Sequence, residues 1–288
     1  MNKIPYDLII DQEDEITRKR EERLERLYHT GQEKIWDGRH TLSEIVKKHG
    51  SVTLSEEKKR SLGKIFSLIL WGEYSAWTIS LQLAAEIREI GPRMAATSQA
   101  HDEARHFYVF RDYLKLLGPL PLLLPKSSEN VINAVIKAPT LPKKLLGMQL
   151  MVEPVALTLF QLICDAQTEP ILCDILEPIS RDESRHMALG ILHLPKLTES
   201  LLPNQLASLW LWQANLIMIE MTALRDMRDD MLVLGIDPDA ALKTGIKRQM
   251  EALQEMIDAS GSKIPIVPAV KHLISARQFY DKIRFPHS

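Results

Sequence analysis

Glu103 and His106 lie three residues apart, and so do Glu183 and His186. Both pairs stand in one five-residue setting, Asp102-Glu103-Ala104-Arg105-His106 and Asp182-Glu183-Ser184-Arg185-His186, offset by 80 residues (183 − 103). The same offset relates Glu73 to Glu153, so each half reads Glu, then thirty residues on, Glu-x-x-His. Four identities in one five-residue window arise by chance about once in 10⁵ at average residue usage. A Glu at equal distance before each copy makes accident an untenable account. Carboxylates and imidazoles repeated this way can hold metal ions between them.

The spacing has a direct physical meaning. Residues i and i+3 share one face of a helix, about one turn apart. Thirty residues with a turn midway make a helical hairpin with arms of about 15 residues, or ~22 Å. The lone Glu of each half then stands level with its Glu-x-x-His. Two such hairpins packed face to face bring together Glu73, Glu103, His106, Glu153, Glu183 and His186. The helix stripes point these faces inward: Phe66, Ile69, Leu70, Ala76 and Trp77 flank Glu73, and Leu146, Leu150, Ala156, Leu157 and Phe160 flank Glu153. Four carboxylates in apolar surroundings repel one another and resist desolvation. Two divalent cations remove that cost, since four negative charges meet four positive ones. Oxygen and nitrogen donors without thiolate suit iron or manganese better than structural zinc. Ordinary ion pairing with Arg105 and Arg185 leaves both the repeat and the stripes unexplained.

The elements that must position these residues are helical throughout. Strand signals are nearly missing, with no alternating Val/Ile/Thr runs, no Asn-Gly hairpin and only 12 glycines. The segment Asp11 to Tyr28, rich in Glu and Arg at i,i+4 spacing, reads as a solvated helix or as an arm against another subunit. A short helix is expected over Thr41 to Lys48, ending at Gly50. Four long helices follow. One begins near Ser55 and carries Glu73; after a turn at Gly91-Pro92, the next runs to about Leu117. A connection containing Pro119, Pro121, Pro125, Pro139 and Pro142 leads to a third, roughly Lys143 to Asp165. A turn at Gln167 to Pro170 opens the fourth, which ends near Leu194. Further helices are expected at Asn204 to Val233 and Pro238 to Ala259. The expectation is a single all-α domain over residues 1–288: a core four-helix bundle at 55–195 with a long crossover connection, an N-terminal helical arm at 1–50, extra helices at 204–259 and a C-terminal tail at 261–288.

Within this frame the chain resembles the ferritin-like superfamily of di-iron carboxylate proteins, whose ligand set is a worked example of metal binding in a helix bundle. The resemblance covers residues 55 to 195. The double Asp-Glu-x-Arg-His is most similar to the hydroxylase components of bacterial multicomponent monooxygenases, above all in Asp182-Glu183-Ser184-Arg185-His186-Met187-Ala188-Leu189-Gly190. Related patterns occur in acyl-carrier-protein desaturases and ribonucleotide reductase small subunits. The resemblance implies that Glu103 and Glu183 bridge the two ions. It also implies that Asp102 and Asp182 orient the ligand imidazoles while Arg105 and Arg185 tie down those aspartates. The chain departs from its relatives at several points. Leu157, followed by Thr158, stands where multicomponent hydroxylases usually place a Thr. Phe110 stands where reductase subunits usually carry a radical Tyr, although Tyr74, Tyr108 and Tyr113 lie nearby. Ile179 replaces the third His of arylamine N-oxygenases. His193, two turns after His186, reads as a polar surface residue or as an extra ligand.

Two irregularities bear on the site. Pro154 directly follows Glu153 and should kink the third helix or force a bulge. Gly190 corresponds to Phe110 by the 80-residue offset, each four residues after a ligand His. The expectation is that the substrate approaches the site on the side of Gly190 rather than Phe110, with close approach of a neighbouring helix as the rival account.

The reading is an oxidoreductase that activates O2, its co-substrate, at two Fe ions, with Mn or a mixed Mn/Fe pair as an alternative. It hydroxylates, desaturates or N-oxygenates a hydrophobic or aromatic small molecule, an expectation resting on Trp77, Phe107, Phe110 and Phe160 as site lining. A ferroxidase or peroxidase and a radical-generating reductase subunit are the alternatives. An electron-donating reductase or ferredoxin is expected as partner, together with a homodimer. A formal net charge of −2 gives no basic field for nucleic acid. Residues 1–30 show no signal-peptide pattern, and Glu153 and Pro154 interrupt the longest apolar stretch, so no transmembrane segment is expected. Cys164 and Cys173 match no redox or zinc spacing and read as reduced thiols in the cytoplasm.

Overall fold

A computed structural model describes residues 15–119 and 123–260. Its elements are α1 (Glu15–Glu33), α2 (Gly38–His49), α3 (Glu56–Glu86), α4 (Ile90–Leu117), α5 (Lys126–Ile136) and α6 (Leu141–Leu145). A π-helical segment (Leu146–Val152) joins α6 to α7 (Glu153–Asp165); α8 (Pro170–Glu199), α9 (Pro203–Asp226), α10 (Arg228–Val233) and α11 (Pro238–Ser260) follow. All regular structure among the described residues is helical. The four-helix bundle is α3, α4, the continuous α6–π–α7 helix and α8.

The ends of these helices follow from their residues. Ser55 accepts a hydrogen bond from the Lys58 backbone N–H at 3.3 Å, and Glu56 and Glu57 complement the helix dipole in the first turn of α3. Glu169 caps α8 through the N–H groups of Ile171 and Leu172, with Pro170 in the first turn. Gly91 and Pro92, read as a turn, lie inside the first turn of α4; the N–H that Pro92 lacks is one a helix start leaves unbonded anyway.

Other boundaries differ because tertiary packing decided them. The proline-rich connection contains α5, whose Val131 and Val135 are buried in the core, and α5 packs on α9. Pro125 stands just before α5 and Pro139 just after it, where neither costs a helical hydrogen bond. Pro121 lies outside the described residues, as do residues 1–14 and the tail at 261–288. The expected 204–233 helix breaks at Met227, and α8 continues to Glu199 with Pro178 and Pro195 inside it.

The arm is a surface helix with one face packed on its own chain. Leu24 of α1 is fully buried, and α1 lies along α4 and α8. A side chain at Gly91 would sit 2.8 Å from the Glu21 carbonyl oxygen, so a glycine is what lets α1 approach α4. The apolar core falls into two clusters. One gathers Leu83, Met148, Leu150 and Leu189; the other gathers Phe66, Phe110, Phe160 and Ile179. Glu73, Glu103, Glu153 and Glu183 belong to neither. The helix Leu141–Asp165 has the length and apolar composition of a membrane span, but 67% of that window is buried and it carries Glu153 into the bundle. Cys164 and Cys173 are free, half-buried thiols near the turn from α7 to α8.

Candidate metal centre

Each helix of the bundle contributes to one buried polar layer. Glu73 comes from α3, Glu103 and His106 from α4, Glu153 from the start of α7, and Glu183 and His186 from α8. None of the six is more than 5% exposed. They form two overlapping groups, Glu73, Glu103, His106 and Glu183, and Glu103, Glu153, Glu183 and His186. Within each group one donor atom per residue lies within 4.8 Å of every other. Glu103 and Glu183 belong to both groups, which is the arrangement expected of carboxylates that bridge two ions.

The imidazoles are oriented for ligation. His106 Nδ1 faces the carboxylates, 2.9 Å from Glu183 and 3.4 Å from Glu73, and His186 Nδ1 lies 2.7 Å from Glu183 and 3.0 Å from Glu103. The outer nitrogens face aspartates of the opposite half: His106 Nε2 is 3.1 Å from Asp182, and His186 Nε2 is 3.3 Å from Asp102. Such a partner fixes the tautomer with Nε2 protonated and Nδ1 free to bind a metal. Arg105 donates to Asp102 at 2.5 Å and to Asp182 at 2.9 Å, and Arg185 donates to the same two aspartates at 2.6–3.0 Å. The two halves are thus locked together behind the imidazoles.

The electrostatics show how much this layer needs positive charge. Burial, reinforced by the Glu183 charge, pushes the Glu73 and Glu153 carboxyls well above the usual range. Burial also opposes ionisation of Glu103, but His186 and His106 overcome it and hold this carboxyl far below its ordinary value. Both imidazoles are driven well upward by the surrounding carboxylates, although burial alone would lower them. Glu73 Oε2, Glu103 Oε2 and His106 Nδ1 are buried, the two oxygens 3.4–3.5 Å from Nδ1, without a well-aligned hydrogen bond among them. Buried polar atoms are rarely left so. Orphaned oxygen and nitrogen atoms converging on shared points fit a pair of hard or borderline divalent cations.

Several contributors were not anticipated. Trp36, in the α1–α2 connection, donates from Nε1 to Asp182 at 2.9 Å; its ring stacks against His106 and under the Arg105 guanidinium. Gln99 donates to Glu103 at 3.0 Å and accepts from Gln149 of the π segment at 3.0 Å. Gln99 stands one turn before Glu103, a helical spacing visible in sequence; nothing in the sequence marks Trp36. The π segment is the irregularity expected at Pro154. The Glu153 N–H bonds the Met148 carbonyl five residues back, and Pro154 offers no N–H to resume the regular pattern.

Other expectations are corrected. His193 is fully buried on α8 with neither ring nitrogen bonded, and burial lowers it to about 4; it is neither a surface residue nor one of the clustered donors. Thr158 donates to the Pro154 carbonyl at 2.7 Å. Phe110 and Phe160 pack on each other in the core, and Trp77 packs on Phe107. None of these four aromatics lines the apolar cavity beside the layer. That cavity, about 90 Å³, is bounded by Glu73 and Glu153 together with Ile69, Gly72, Met148 and Ala223. A side chain at Gly190 would meet Gln149 Cβ at 2.7 Å, so this glycine admits the π segment rather than a ligand.

Loss of Asp182 removes the partner of His106, Trp36, Arg105 and Arg185 at once. Asp182→Ala is expected to weaken metal affinity about 10- to 100-fold. Asp102→Ala, which spares Trp36 and His106, should cost less. Competition with a chelator measures both; equal, wild-type affinities would refute the orienting role.

No protein-family model and no curated protein matches the chain. Solved structures do. A *Streptococcus sanguinis* dimanganese(II)-NrdF superposes with a TM-score of 0.64 at 15% identity, covering 94% of this chain and 99% of that one. The fold is ferritin-like. A *Synechococcus* protein with aldehyde deformylating oxidase activity shares this ferritin-like bundle at TM-score 0.62 and 17% identity, over 77% of this chain and 98% of that one. An R2-like ligand-binding oxidase with an aerobically reconstituted Mn/Fe cofactor does so at 0.59 and 17%, over 85% and 94%.

Proposed function

We propose that the chain, as one ferritin-like domain, is an O2-activating di-metal oxidoreductase acting on a hydrophobic small molecule. The observation that carries this reading is the pair of donor groups sharing Glu103 and Glu183. Glu73 and His106 would complete one metal position, and Glu153 and His186 the other. Two iron ions, or manganese or a mixed Mn/Fe pair, would supply dioxygen activation and the oxidising equivalents. Solved proteins of this fold include dimanganese and Mn/Fe forms, which supports that choice. Asp102, Asp182, Arg105 and Arg185 hold the imidazoles in their ligating tautomer. The apolar clusters keep water from the layer. Turnover would require electrons from a reductase or ferredoxin, and the free thiols suit a reducing cytoplasm.

The cavity against Glu73 and Glu153 favours an organic substrate over a ferroxidase, whose substrate ion calls for a polar path. Its aliphatic walls support a hydrophobic substrate more than a specifically aromatic one. The radical-subunit reading is disfavoured because Phe110 occupies the core, and Tyr113, also buried, donates to Glu169.

Anaerobic reconstitution should give two metals per chain by elemental analysis, and a hydrophobic substrate should raise oxygen uptake. A side chain at Gly72 would meet nothing within 4 Å, so Gly72→Leu should fold, keep both metals and lower substrate-dependent uptake at least ~10-fold by filling the cavity. One metal or none in folded protein would sink the proposal.

A further inference from the structure

Glu220 of α9 is a carboxylate that the metal centre does not use. It lines the apolar cavity together with Glu73, Glu153 and aliphatic side chains, and it also lines a second cavity between α7, α9 and α11. Gln249 of α11 donates to its Oε2 at 2.7 Å and anchors itself on the Met151 carbonyl at 2.9 Å. Oε1 has no hydrogen-bond partner and is out of reach of solvent. Among the described residues, no Lys, Arg or His lines either cavity. Burial accordingly pushes the carboxyl up to about 7. Glu220 as a whole is half-buried, but an enclosed carboxylate oxygen without a cation is costly, and such groups are normally paired. Nothing in the packing requires an acid here, because Leu224, Met221 and Ile217 fill neighbouring wall positions. The acid has no cationic partner among the described residues, and a ligand entering the cavity can bring one.

We propose that Glu220 anchors the protonated amine of a substrate whose apolar body extends through the cavity toward Glu73 and Glu153. The inference rests on the oxidase reading and narrows its substrate to a hydrophobic amine. Among the described residues, three acidic groups and no basic one face the cavity, so a carboxylate ligand would meet repulsion there. Two of the three, Glu73 and Glu153, are committed to the metals. Glu220 is left to select the cation, with Gln249 holding its second oxygen in place. An alkylamine with a pKa like that of Lys, about 10.4, stays charged at neutral pH.

The test measures binding without turnover, under argon, on protein of known metal content, so that a chain lacking the metal pair still reports on Glu220. Hexylamine, hexan-1-ol and hexanoate are titrated calorimetrically as probes of one length. Hexylamine should bind at least ~10-fold tighter than hexan-1-ol, the scale of a charge-assisted hydrogen bond, and hexanoate should bind weakest. Glu220→Gln keeps the shape and the acceptor but removes the charge; it should weaken hexylamine about 10-fold or more and leave hexan-1-ol within ~2-fold. Equal binding of amine and alcohol, preference for hexanoate, or unchanged amine affinity in Glu220→Gln would each overturn the proposal. So would failure of Glu220→Gln to fold, which would make the carboxyl a structural group.

Discussion

Glu103→Ala is expected to abolish oxygen reactivity and to leave fewer than one metal per chain. Glu103 takes part in both donor groups, so its loss opens both positions together. It also removes the carboxylate to which Gln99 donates at 3.0 Å and one of the two that face His186 Nδ1. Glu183→Ala should behave alike, since Glu183 approaches both imidazoles. Glu73→Ala and Glu153→Ala form the contrast. Each belongs to one group only and should cost one metal while the other position still fills. Removing an outer hydrogen-bonding partner typically costs 10- to 100-fold in affinity, and removing a shared ligand should exceed that range. Elemental analysis and oxygen uptake across the four variants, with helicity checked by circular dichroism, read the pattern. If Glu103→Ala retained two metals and normal turnover, the bridging assignment would be wrong.

Gly190→Phe is expected to unfold the protein or to destabilise it by about 3 kcal/mol or more. Even a Cβ at this position would lie 2.7 Å from Gln149 Cβ and 3.1 Å from Leu150 Cδ2, both in the π segment. Atoms cannot share that space, so α8 and the π segment must part. Overpacking a close-packed core costs about 1–3 kcal/mol, and a benzyl group exceeds the usual case. The separation would also pull Gln149 from Gln99, and through it loosen Glu103. Gly190→Ala should show the same effect in smaller measure, about 1–3 kcal/mol. Urea denaturation with metal analysis measures both. A Gly190→Phe protein as stable as the parent would show that the helices have slack the structure does not contain.

These two expectations mark where sequence reasoning succeeds and where it stops. The clustering of the six residues was legible because the proposed metal chemistry favours their types and the helix imposes their spacing. Glu-x-x-His works only at i,i+3, and its repetition at an offset of 80 residues, with Glu73 and Glu153 in step, can be read without coordinates. The break beside Glu153 was legible for a similar reason. A missing N–H is a property of proline itself, and the π segment is its local consequence. The second-half aspartate could be named, but its assignment to the imidazole of the first half could not, because that exchange depends on how the hairpins face each other.

By itself, then, the sequence determined the helical class, the four bundle helices, the six residues that meet in the buried layer and the irregular third helix. Each of these is governed by local periodicity or by the chemistry of single residues. Tertiary structure alone decided the rest. Gly190 is a packing contact, while the open space lies at Gly72, although both are helical glycines near ligands. The charged arm folds against its own chain and delivers Trp36 to Asp182, across 146 positions. Glu220, on a helix outside the repeat, enters the cavity beside Glu73 and Glu153. Periodicity cannot reveal such relations, because which surfaces meet is set by the shape and free volume of packed elements rather than by any spacing along one of them.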